Sequence, residues 1–113
     1  MYLYIQIPDR IPSAHVKNRA MARHLKKIVE GLRPKTVSKV ALEKGEDFVN
    51  LSIETRNVGS AWKALETKLL AKDRELFLHL TKTWIVVCEG ADGWNDYKLL
   101  AHFDKKISVD RID

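Results

Sequence analysis

Apolar and polar residues alternate strictly at the start of the chain. In Tyr2-Leu3-Tyr4-Ile5-Gln6-Ile7, Leu3, Ile5 and Ile7 fall on one side and Tyr2, Tyr4 and Gln6 on the other. A period of two is that of a strand buried on one face. Pro8 ends it, and the period then changes. Ser13, following Pro12, is placed to cap a helix that runs to about Glu30, where Gly31 and Pro34 supply stop signals. At 100° per residue Ala14, Met21, Leu25, Ile28, Val29 and Leu32 share a stripe, while Arg19, Arg23, Lys26 and Lys27 gather opposite.

Val37 to Lys44 and Phe48 to Thr55 are β-type runs joined by Gly45-Glu46-Asp47, which predicts a hairpin with Val49, Leu51 and Ile53 on one face. Asn57 or Ser60 then opens a second helix with the stripe Val58, Trp62, Leu65 and Leu69, ending near Asp73. Leu76 to Leu80 fits either period, since Leu76 continues the helical stripe while Leu76, Leu78 and Leu80 also alternate. Trp84-Ile85-Val86-Val87-Cys88 is apolar throughout and reads as a strand buried on both faces. Gly90-Ala91-Asp92-Gly93 supplies turn chemistry, and Tyr97, Leu99, Ala101 and Phe103 share one side of a following strand. Past about residue 104 the chain reads as a tail, with a short strand at Ile107 to Val109 as an option.

The order β, α, β, β, α, β, β predicts an α+β fold: two helices packed on one face of a mostly antiparallel sheet, in ferredoxin-like βαββαβ order with an added C-terminal strand. At 113 residues the chain fits one domain, residues 1–113, because two halves would each be too small to bury a core. No run approaches the apolar length of a membrane span, and no N-terminal segment resembles a secretory signal. The single cysteine, Cys88, forms no internal disulfide, and these features together predict a cytoplasmic protein.

Charge changes this picture more than composition does. Arg10, Lys17, Arg19, Arg23, Lys26, Lys27, Arg33, Lys35, Lys39 and Lys44 meet only Glu30 and Glu43 between residues 10 and 44, while the rest of the chain is slightly negative. That asymmetry points to an anionic partner. Lys17, Arg19, Arg23, Lys26, Lys27, Arg33 and Lys35 are the candidate contacts, able to neutralise phosphates without reading sequence. A merely solvated helix face is the competing reading, and the shortage of carboxylates at i, i+4 spacing weighs against it.

Tyr2 and Tyr4 are the second candidate. If helices cover the Leu3 side, both rings lie on the open sheet face near Phe48, Asn50 and Ser52, where aromatic side chains can stack bases. Glu54 on that face repels phosphate, and the basic helix face lies on the opposite side of the domain. A homodimer through the open face, or cover from the C-terminal tail, explains these rings equally well. Trp94, in the polar turn Asp92 to Asp96, is either an anchor for another protein or folded back on the sheet edge.

Catalytic chemistry has little support. His15, His24, His79, His102 and Cys88 lack the close spacing of a zinc site, and Asp92, Asn95 and Asp96 lack the ligand pattern and distal glutamate of a calcium loop. No metal or cofactor is expected. Cys88 lies within an apolar run, as an inert thiol does. A small nuclease built on His15 or His24 beside a basic neighbour stays open, since acid and base groups converge in space rather than in sequence. The favoured reading is a non-enzymatic domain binding nucleic acid, or an acidic protein surface, through the helix face. The alternative is a small inhibitor or immunity-type protein that blocks a toxin, a nuclease or another protein, with Trp94 as anchor.

Overall fold

The computed structural model describes residues 1–8, 15–33, 35–45 and 48–110, with 15–18 described in backbone only. Its elements run β1 (Tyr2–Pro8), α1 (His15–Glu30), β2 (Lys39–Lys44), β3 (Phe48–Glu54), α2 (Val58–Lys72), α3 (Arg74–Leu80), β4 (Ile85–Gly90) and β5 (Gly93–His102). The expected cap at Ser13, with Arg10, Pro12, Ala14, Pro34, Glu46 and Asp47, lies outside the described residues.

The fold is α+β. All the strands join one antiparallel sheet in the order β2-β3-β1-β4-β5. Register follows from the alternation: Leu3, Ile5 and Ile7 stand opposite Ile53, Leu51 and Val49, and Leu3 and Ile5 also meet Cys88 and Val86. These side chains are all essentially sealed from solvent, together with Ala22, Leu25 and Val29 of α1 and Trp62, Leu65 and Leu69 of α2. Each buried aliphatic side chain contributes roughly 1.5–3 kcal/mol by leaving water. The helices therefore cover the Leu3 side of the sheet, and Tyr2, Tyr4 and Gln6 are left on the other.

Asn57, rather than Ser60, opens α2: its Oδ1 accepts the Ser60 N–H at 2.9 Å. Asp73 closes the same helix and opens the next. Its N–H donates to the Leu69 carbonyl at 2.8 Å, and its Oδ1 accepts the Leu76 N–H at 3.0 Å. The cap settles the ambiguity of residues 76–80 in favour of a helix, with Leu76 and Leu80 buried one turn apart and Leu78 exposed between them. A third helix thus stands where only two were expected. It carries Phe77 edge-on to Trp84, at 5.9 Å between centroids, and Trp84 in turn contacts Trp62 at 5.5 Å.

Three further expectations are corrected. The apolar run from Trp84 is not a strand buried on both faces: Trp84 precedes β4, and Ile85 and Val87 are only half-buried because none of the described helices covers their side. In β5 the alternation is broken by a bulge. Val86 pairs with Ala101 and Val87 with Leu99, so Leu100 is the extra residue, and it is Leu100 that is buried. Residues 107–109 form no strand. The tail instead returns along the outer edge of β5, where Asp110 N–H donates to the Leu99 carbonyl at 2.7 Å and Leu99 N–H donates to Asp110 Oδ2 at 2.8 Å. This occupies backbone groups that an edge strand otherwise leaves unpaired.

Candidate functional site

Of the cations of the first half of the chain, Lys39 and Lys44 belong to β2 and Arg10 lies outside the described residues. The others lie on α1 or just after it, where packing sorts them. Arg23 and Lys27, one turn apart on α1, are exposed, and neither has a carboxylate within 4 Å among the described residues. Lys26 is half-buried and pairs with Glu30 at 3.5 Å. Arg33 is drawn back onto its own chain, donating from Nε to the Ser38 carbonyl at 3.1 Å. Arg19 is half-buried, Lys35 is exposed beyond the helix, and the side chain of Lys17 lies outside the described residues. The exposed pair at Arg23 and Lys27 is therefore the accessible centre of the basic face.

Two neighbours of this face come from elsewhere in the chain. His24 Nε2 meets Asp73 Oδ2 at 3.1 Å, so a carboxylate from the α2–α3 junction supplements Glu30. Lys68 of α2 lays its ammonium over Gly31, so close that an added Cβ there would sit 2.3 Å from Nζ. A cation at that point faces the carbonyl end of α1, where positive charge is favoured.

The opposite side of the domain is an aromatic and acidic sheet face. Tyr2 and Tyr4 stack with centroids 6.2 Å apart and planes 20° from parallel, and Trp94 closes on Tyr4 at 5.4 Å and 43°. Trp94 thus folds back over the sheet while staying 43% exposed. Its position depends on the turn before it. Gly93 adopts φ +62°, a conformation costly for other residues, and Gly90 passes so close to Asp96 that a Cβ would lie 2.2 Å from its carbonyl oxygen.

Between Tyr4 and Trp94 the face forms a shallow depression of about 420 Å³, floored by Ile85 and Val87 and rimmed by Gln6, Asn50 and Glu43. A smaller one continues past Tyr2 toward Lys39, Ser52 and Glu54. Strand register explains the rim: Gln6 stands beside Asn50, which stands beside Glu43, while Tyr2 stands beside Glu54, which stands beside Lys39. Glu89 joins the face by accepting the Tyr2 backbone N–H. The described part of the tail, up to Asp110, does not cover these rings. Ile107 and Val109 instead line a cavity of about 310 Å³ with Trp62, Phe77 and Trp84.

Sequence reasoning located Tyr2, Tyr4 and Trp94 separately but missed that they touch, and it missed Glu43 and Glu89 as members of the face. The two-residue period carries the signal for both acids, because Glu43 and Glu89 fall in phase with the outward positions of their strands. Among the described residues no three His, Cys, Asp or Glu side chains converge on a metal-sized site. Cys88 is buried in the core, and desolvation raises its thiol above the ordinary range, with Lys98 opposing the shift in part. No helix among the described residues is long and apolar enough to cross a membrane. Comparison of the chain with family models, curated proteins and solved structures finds no match in any of the three.

Proposed function

We propose that this chain is a non-enzymatic binding domain that docks an anionic partner, nucleic acid foremost, against the exposed cations of α1. The observation carrying the reading is the pair Arg23 and Lys27, solvent-facing, one turn apart and without a carboxylate within 4 Å among the described residues. Phosphates taking these positions release counterions, a gain open to cations that no internal carboxylate already neutralises. Arg19, Lys26 and Lys35 extend the face, and the first turn of α1 carries no acid to oppose an approaching anion. Binding of labelled single-stranded RNA and duplex DNA across a salt series tests this. Affinity should fall steeply with salt and be weakened by Arg23→Glu with Lys27→Glu; binding that the double reversal leaves unchanged sinks the reading.

A second reading is favoured by a different observation. The contiguous row Tyr2, Tyr4 and Trp94 suits a small inhibitor-type domain that covers a surface of another protein, since exposed aromatic anchors dominate such contacts. Base stacking on this row is disfavoured by Glu43, Glu54 and Glu89 around it. We also read the connectivity as ferredoxin-like with β5 added outside β4, supported by the placement of β1 between β3 and β4. The free thiol of Cys88 fits a reducing, cytosolic setting.

A further inference from the structure

We propose that the depression between Tyr4 and Trp94 binds an arginine side chain presented by a basic protein surface. Three properties of the site point to this occupant. Tyr4 and Trp94 line it, and an aromatic ring carries negative potential on its face and attracts a cation within about 6 Å of the centroid. The Tyr4 and Trp94 rings, in contact at 5.4 Å between centroids and inclined at 43°, form one continuous aromatic side of the depression.

The polar groups at the rim are rich in acceptors. Glu43 supplies a carboxylate, and Asn50 Oδ1 is shielded from solvent with no hydrogen-bond partner among the described residues. A guanidinium has five N–H donors and no acceptor, and its plane stacks on aromatic rings, so it complements both features at once. The surrounding charge agrees: Glu54 and Glu89 lie on the same face, and Lys39 is the cation opposite Glu54 at its far end. A phosphate-bearing partner meets repulsion here, whereas a basic protein surface meets attraction.

This inference gives a chemistry to the protein-covering reading and is independent of the α1 reading, because the two faces lie on opposite sides of the sheet. It also separates the charge of the contact from that of the chain. The net charge is +5, yet the face carrying the aromatic row is acidic.

The probe is a capped peptide of alternating arginine and glycine, titrated into ¹⁵N-labelled full-length protein while the indole N–H resonances are followed. Trp62 and Trp84 are buried and act as internal references. The Trp94 resonance should shift saturably while theirs stay fixed. Glu43→Gln, which preserves shape, should weaken binding about five- to tenfold. Trp94→Ala should abolish the saturable shifts that the parent shows at the backbone amides of Tyr4 and Val87, with the Trp62 and Trp84 indole signals marking an intact fold. Arg23→Glu with Lys27→Glu should leave the titration unaltered, so failure here is distinguishable from failure of the α1 reading. Three results would overturn the proposal. An aspartate-glycine peptide could shift Trp94 equally, or Glu43→Gln could have no effect. Trp94 could also move with protein concentration alone, meaning that a second copy occupies the face.

Discussion

His24 of α1 and Asp73 at the α2–α3 junction are joined by a 3.1 Å contact between Nε2 and Oδ2. The same carboxylate caps α3 through Leu76 N–H, so one side chain both starts a helix and ties it to the basic helix. The two roles have different weights. An N-cap hydrogen bond contributes about 1 kcal/mol, whereas a solvent-exposed charge pair contributes between about 0 and 1 kcal/mol.

Asp73→Ala should therefore lower stability by about 1–2 kcal/mol in urea unfolding. Asp73→Asn retains a capping oxygen and should cost less than half as much. Equal losses in the two variants would mean that the pairing with His24, not the cap, holds the junction.

Glu66 supplies a pH dependence. Its carboxyl is half-buried beside Trp62 and Phe77, and burial raises its pKa above the ordinary glutamate value. A folded pKa above the unfolded one means that the folded state binds more protons between the two. The stability this group contributes is thus fully present below the unfolded pKa and is lost as pH rises through the folded one. Glu66→Gln should be slightly more stable than the parent at pH 7, with the advantage vanishing near pH 4. Urea midpoints at both values check it; a variant less stable at pH 7 would show that the carboxylate has a favourable partner.

Cys88 should behave as a core group. Its burial and raised thiol pKa leave little reactive thiolate at neutral pH. An aromatic disulfide reagent should react fully in denaturant and negligibly with the native protein. Rapid labelling of the native form would indicate that β4 opens at the β5 side.

Much of the fold is legible in the chain because single elements encode their own burial. The alternation of Tyr2 to Ile7 identifies both faces of β1, and the spacing of Val58, Trp62, Leu65 and Leu69 identifies the buried stripe of α2. What period alone does not decide is settled by features outside it. Leu76 to Leu80 becomes helical because the Asp73 cap and the burial of Leu76 and Leu80 outweigh strand alternation. The inward residue of β5 is Leu100 because a bulge shifts the register between Val86 and Val87.

The candidate faces are legible to a smaller degree, for a related reason. Arg23 and Lys27 are neighbours through helix geometry, so their clustering follows from spacing. Tyr4, Trp94 and Glu43 come from different strands and meet only once β1 is placed between β3 and β4, so their juxtaposition depends on strand order. The Asp73 carboxylate beside His24 is hidden likewise, because it comes from the α2–α3 junction, 49 residues further along the chain, and reaches the basic helix only once the helices pack together.

The central claim, that α1 binds phosphate through Arg23 and Lys27, is tested most directly by the salt dependence of duplex DNA binding for the parent protein and the Arg23→Glu, Lys27→Glu variant. If both residues contact phosphates, the logarithmic slope should be steep in the parent and shallower by about 2 in the variant, near 0.9 for each lost contact. Equal slopes and affinities for a variant that folds normally would contradict the account and leave the basic helix face a solvated surface.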